Sequence, residues 1–165
     1  SWPQFRGPQR DGVSRETGLL KQWPAGGPQL AWKASGLGTT NSAPSVAGGT
    51  IFGMSYRGQD EYVWALEEAT GKPVWSSRIA PANYDVGRQA HDGPGCTPTV
   101  VGNHLYALGM SGDLVCMQAA DGKLVWQKNL VKDFGGSVPR WGFAESPLVD
   151  GNKVVVTPGG REATM

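Results

Sequence analysis

Long hydrophobic runs are missing: nowhere in the 165 residues is there a stretch approaching the ~20 apolar residues of a membrane-crossing helix. Charge of one sign is missing too. Fifteen basic against fourteen acidic side chains leave a formal charge of +1, with no like-charge run to follow a phosphate backbone or an anionic bilayer, so nucleic acid is not an expected partner. Cysteine and histidine are scarce. Cys96 and Cys116 are too few for a disulfide framework, and two histidines without metal-ligand spacing argue against a zinc site. Ser1 is not followed by the charged and apolar regions of a secretory leader, so a start either after processing or at a cut within a longer chain is expected, and export must be inferred from other features.

Glycine and proline, by contrast, are abundant at 25 and 12, seven tryptophans are present and the apolar stretches are short. That combination predicts many brief strands joined by turns, an all-β fold in which helices do not dominate.

An internal repeat gives those strands an order. Ser42-Ala43-Pro44-Ser45-Val46-Ala47-Gly48-Gly49 superposes on Cys96-Thr97-Pro98-Thr99-Val100-Val101-Gly102-Asn103 and on Glu145-Ser146-Pro147-Leu148-Val149-Asp150-Gly151-Asn152. Each reads as a short strand with proline at its first position, where a missing amide donor is tolerated, and then a tight hairpin turn. Apolar strands follow from Thr50, His104 and Lys153. A second block aligns Ala65-Leu66-Glu67-Glu68-Ala69-Thr70-Gly71-Lys72-Pro73-Val74-Trp75 with Cys116-Met117-Gln118-Ala119-Ala120-Asp121-Gly122-Lys123-Leu124-Val125-Trp126. Gly71 and Gly122 each precede a tryptophan, Trp75 or Trp126, by four residues. This predicts a third strand, a turn at a positive-φ glycine, and a fourth strand whose tryptophan packs on the neighbouring sheet. Four strands in roughly fifty residues, repeated in tandem, match one propeller blade. Cys96 and Cys116 then fall on the first and third strands of one meander, roughly 9 to 10 Å apart, and are expected to be buried free thiols.

The second block resembles the tryptophan-docking repeat of pyrroloquinoline-quinone-like (PQQ-like) β-propellers, usually Ala-Leu-Asp-x-x-Thr-Gly-Lys-x-x-Trp, with Glu67 and Gln118 at the aspartate position and Cys116 at the alanine. The likeness covers roughly 30–165. The opening Trp2-Pro3-Gln4-Phe5-Arg6-Gly7-Pro8 and Gly27-Pro28-Gln29-Leu30-Ala31-Trp32 also resemble the start of bacterial envelope members. The resemblance implies an extended N-terminal arm over 1–28 and a partial propeller over 29–165. Within the latter we expect a closing strand at 29–34, blades at 42–80 and 96–130, and a partial blade at 145–165. A closed ring needs about four to eight blades, so the chain is expected to be an N-terminal fragment of four-stranded antiparallel blades.

The connections Trp75 to Pro98 and Trp126 to Pro147 are longer than Trp32 to Pro44, and both link an outer strand to the next inner strand, so they should gather on one face. The first carries Arg88, His91 and Asp92, and the second Arg140, Trp141 and Glu145. Arginine beside tryptophan suits an anionic or planar ligand, by hydrogen bonding and stacking. The structural alternative pairs Arg140 with Glu145, lays Trp141 over an apolar edge and leaves Asp92 to stabilise a turn. His91 has the pKa range of an acid or base but no accompanying nucleophile motif, and His104 reads as structural. Asp11-Gly12, Asp92-Gly93, Asp121-Gly122 and Asp150-Gly151 lack the alternating oxygen ligands of a calcium loop and read as turns. No metal site or catalytic residue is expected.

Two function classes follow from the resemblance. One is a non-catalytic scaffold binding a protein, peptide or glycan in the cell envelope, without a cofactor. The other is a PQQ- and calcium-dependent quinoprotein dehydrogenase for an alcohol or sugar; Glu162, after Pro158-Gly159-Gly160-Arg161, lies in a blade region where the resemblance implies a calcium-binding glutamate, but one residue in a turn is not assigned that role. Both imply a periplasmic or extracellular location.

Overall fold

The computed structural model describes residues 1–82 and 93–161. Period-2 apolar patterning and glycine turns fold the first repeat into an antiparallel meander of β1 (Ser45–Ala47), β2 (Thr50–Arg57), β3 (Asp60–Glu67) and β4 (Pro73–Pro81). The second repeat forms the same meander from β5 (Thr99–Val101), β6 (His104–Leu108), β7 (Asp113–Gln118) and β8 (Leu124–Asn129). A short helix, α1 (Leu130–Phe134), leads to a third hairpin of β9 (Leu148–Asp150) and β10 (Lys153–Val155). The registers Ala47↔Thr50, Val101↔His104 and Asp150↔Lys153 place a two-residue turn at the same point of all three units.

The repeat extends to its irregularities. A register shift separates Ala65 from Leu66 on β3, and the equivalent Cys116 from Met117 on β7. Beyond each shift the same turn closes, with the amides of Gly71 and Gly122 donating to Glu67 and Gln118 at 2.8 and 2.9 Å. Both glycines have φ +69 and lie under an indole from the preceding segment: an added Cβ would sit 2.3 Å from the Trp32 ring at Gly71 and 2.5 Å from the Trp75 ring at Gly122. The indole N–H groups of Trp32 and Trp75 donate to the equivalent carbonyls of Glu68 and Ala119, each at 3.0 Å. Each docking contact therefore joins one unit to the next. Among the described residues no glycine turn docks on Trp126, whose ring stands 6.1 Å from Tyr106 as Trp75 stands 6.0 Å from Phe52.

The core lies between the blades, where Met54 and Val63 of the first pack with Leu105, Val115 and Met117 of the second. Full burial of such a side chain contributes about 1.5–3 kcal/mol. The inner strands are cross-linked by polar groups: the Thr97 amide donates to Ser146 Oγ at 2.9 Å, and Thr99 Oγ1 to the Pro147 carbonyl at 2.7 Å. Both thiols are buried and free, and the Leu108 amide donates to Cys96 Sγ at 3.3 Å. Burial pushes the Cys96 thiol up to about 12 and also raises Cys116, which keeps both protonated and unreactive.

Residues 1–28 combine one short pairing with several turns. Trp2 bridges antiparallel to Val46, but the following residues coil through successive turns, Gly7 to Gln4, Arg10 to Gly7 and Gly12 to Arg6. Residues 29–34 make no strand pairing within the described chain, although Trp32 docks.

Candidate functional site

The strand directions set where the functional side chains emerge. β4 ends opposite the start of β3, at Asp60↔Pro81, and β8 ends opposite the start of β7, at Asp113↔Asn129. Both inter-blade connections therefore leave from the end of the sheets that also carries the β2–β3 and β6–β7 turns.

The first connection re-enters the described chain at Gly93. Its backbone fits against Thr39, and the Pro94 carbonyl accepts from the Asn41 amide at 3.1 Å and from Thr40 Oγ1 at 3.4 Å. Arg88, His91 and Asp92 lie outside the described residues.

The second connection begins with a well-capped helix. Asn129 Oδ1 accepts from the amides of Val131 and Lys132 at 3.1 and 3.0 Å, and the Asp133 carboxylate accepts from the Asn129 amide at 2.8 Å. Gly135, at φ +64, ends it, and buried Leu130 anchors it through its amide to the Gly112 carbonyl at 2.8 Å. A turn follows, closed by the Gly142 amide to the Pro139 carbonyl at 2.9 Å, and it is pinned to the second blade by Phe143. That ring is 3 % exposed, and its amide donates to the Met110 carbonyl at 2.9 Å.

At the tip of this pinned turn Arg140 and Trp141 face solvent. The Arg140 guanidinium lies 4.9 Å from the centre of the Trp141 ring, which is 47 % exposed. Glu145 is elsewhere: its carboxylate accepts from the Thr157 amide at 2.6 Å and braces the third hairpin. The described ion pairs do not include Arg140 with Glu145, so the arginine stacks on its neighbour and the glutamate serves the backbone. Beside the helix an open cleft of about 550 Å³ runs between Pro81, Ser111, Asp113, Asn129, Lys132 and Val138. Asp113 is oriented there by Gln127, whose amide donates to it at 3.0 Å and to the Ile79 carbonyl at 3.3 Å.

One buried polar residue escaped the sequence reading. Glu61, on β3, is 1 % exposed and crosses into the second blade, where Oε1 accepts from the Met110 amide at 3.0 Å. Its Oε2 has no hydrogen-bond partner, and a Cβ on Gly109 would sit 2.4 Å from it. Burial raises this carboxyl from 4.5 to about 7, the Met110 N–H opposes the shift and Asp113 adds to it. The signal was its parity: Glu61, Val63 and Ala65 alternate on one face of β3, and all three are buried.

Among the described residues no three histidine, cysteine, aspartate or glutamate side chains converge as cation ligands. The unpaired Glu61 oxygen faces Gly109 inside the blade interface. Glu162, the residue at issue for a calcium ligand, lies outside the described residues.

Comparison with known proteins agrees with this architecture. The outer membrane protein assembly factor BamB of Escherichia coli is 28 % identical over 116 residues, covering 68 % of this chain and 25 % of the relative. The chain thus spans about a quarter of the length of the curated relatives it matches. The crystal structure of BamB from Moraxella catarrhalis superposes with a TM-score of 0.51 at 16 % identity, covering 72 % of this chain and 30 % of that one. A quinohemoprotein alcohol dehydrogenase from Pseudomonas putida superposes with a TM-score of 0.54 at 20 % identity, covering 80 % and 19 %. At these identities the two structures speak for the shared fold. The family model described as outer membrane protein assembly factor BamB matches residues 59–165, from the end of the first β2–β3 turn through both later units. With that match over more than half of its length, the chain belongs to this family of PQQ-like β-propellers, of which it forms one part of a ring.

Proposed function

We propose that this chain is part of a non-catalytic envelope propeller, periplasmic or extracellular, that holds a protein, peptide or glycan partner on its inter-blade loop face. The carrying observation is the Arg140–Trp141 pair, exposed at the tip of a turn whose base is clamped by buried Phe143. A tryptophan and an arginine held on a rigid base lose little conformational entropy when they are covered, and these residue types dominate binding energy at interfaces. Residues 29–34 are assigned as the outer strand of a further blade, because Trp32 already makes the docking contact that Trp75 makes one unit later. The role in the name of the Escherichia coli relative, outer membrane protein assembly, supports a protein partner.

The test is affinity capture from an envelope extract with the full-length protein and its Trp141→Ala variant. A specific partner is expected with the former, with loss of at least tenfold in the variant at unchanged melting temperature. Recovery of no specific partner, or equal recovery by both forms, would overturn the reading. Dye reduction by the full-length protein after addition of PQQ and calcium would instead establish the dehydrogenase class.

A further inference from the structure

The inner strand of each unit has one edge paired within its blade, β1 to β2, β5 to β6 and β9 to β10, and an opposite edge left to other parts of the chain. The N-terminal arm crosses that opposite edge in all three units. At β1 the pairing is reciprocal: the Trp2 amide donates to the Val46 carbonyl at 2.7 Å, the Val46 amide donates to the Trp2 carbonyl at 2.8 Å, and Ser1 Oγ donates to the Val46 carbonyl at 3.0 Å. At β5 the Val100 amide donates to the Pro3 carbonyl at 2.8 Å. At β9 the Arg10 guanidinium donates to the Val149 carbonyl. Val46, Val100 and Val149 occupy one position of the repeat, each two residues after its strand's proline. The arm thus reads the same backbone position three times.

Its hold is of a different kind from the packing between blades. No residue of the arm belongs to the hydrophobic core, and Phe5 is 59 % exposed. The Trp2 ring lies against Gly7 of the arm itself, within 2.8 Å of where a Cβ would stand. Arg6 and Arg10 adopt left-handed backbone, φ +64 and +61, which side chains other than glycine adopt at a cost. Backbone pairing without buried apolar contact belongs to the low-stability end of a folded structure and opens before the core does.

We propose that the inner edges of β1 and β5 form an acceptor for a peptide added by backbone pairing, and that residues 1–12 are its resident, displaceable occupant, pairing through Trp2 and Pro3 and reaching β9 only by the Arg10 side chain. The inference rests on the scaffold reading and supplies it with a second surface and a partner class: a protein segment presenting an aromatic-proline pair to the strand edges. Proline suits the third arm position. It donates no N–H, and what β5 requires there is the Pro3 carbonyl.

The experiment uses full-length protein, intact and lacking residues 1–12, titrated with a fluorescent peptide of residues 1–12 and followed by anisotropy. Saturable binding is expected to the shortened protein, at least tenfold weaker binding to the intact one, and at least tenfold weaker binding of a peptide N-methylated at the Trp2 nitrogen. In the intact protein the amides of Val46 and Val100 should exchange with deuterium at least tenfold faster than those of Val63 and Val115. A folded shortened protein that binds no peptide, or exchange at Val46 as slow as at Val63, would overturn the inference and make the arm a fixed structural element. If the shortened protein does not fold, Gly7→Ala, which sets a methyl group against the Trp2 ring, tests the same point. It should speed exchange at Val46 and leave Val63 unchanged, and no change at Val46 overturns the inference. Partner capture separates the two readings. A partner lost with Trp141→Ala but unaffected by arm deletion upholds the loop face and counts against the inner edges, whereas absence of any partner removes the scaffold reading and leaves peptide binding to judge the arm.

Discussion

Glu61 is a buried carboxyl with one oxygen unpaired, and its environment predicts the direction of a pH effect. With the carboxyl at about 7 when folded and near 4.5 when unfolded, the folded chain keeps a proton that the unfolded chain has lost throughout the interval between. The stabilisation is therefore complete below about 4.5, declines as pH rises through about 7, and then levels off, with a span of about 3 kcal/mol as an upper figure. Glu61→Gln keeps an oxygen for the Met110 amide and removes the titration. Relative to wild type it should gain stability between pH 5 and pH 8 in urea denaturation, and a constant difference between the two proteins would refute the assignment. Glycines make a second contrast at this scale. Gly122→Ala adds a methyl group 2.5 Å from the Trp75 ring on left-handed backbone, and is expected to cost about 2–4 kcal/mol and to shift tryptophan emission. Gly151→Ala also meets left-handed backbone, φ +59, but open space, and should cost about 1 kcal/mol. Equal losses at the two positions would mean that the indole does not dock.

At the level of elements, α1 shows how five residues can position a binding turn. A helix this short has no stability of its own, and it persists because its caps and the buried Leu130 hold it. Asn129→Ala removes the acceptor for the Val131 and Lys132 amides and should cost about 1 kcal/mol in thermal unfolding. Because Asn129 also borders the cleft beside Asp113, the same substitution should weaken partner capture if that cleft is part of the loop face. The helix was not legible in the sequence. Leu130 to Phe134 is too short for a helical period to show, and its anchor, the Gly112 carbonyl, belongs to another connection. The turns after β3 and β7 were legible, since a glycine four residues before a tryptophan states the left-handed backbone of its own turn and, in the tryptophan, an indole available to the glycine of the next unit, as Trp75 covers Gly122.

For the whole molecule, the docking contacts describe a chain of units in which each indole waits for the next glycine. Trp126 is the point where the described residues supply none, and it borders an apolar groove with Leu114, Phe134, Val154 and Pro158. The sequence alone determined the meanders, their turns, the spacing of the units and the two buried thiols, because strand alternation, turn chemistry and repeat length act over a few residues. Only the tertiary structure decided that Glu61 is buried against Gly109, that Glu145 serves the Thr157 amide while Arg140 stacks on Trp141, and that the arm runs over Val46, Val100 and Val149. Each of these depends on a group brought close only by the packing of whole blades, and nothing in the local pattern around either partner records which distant backbone group it will meet.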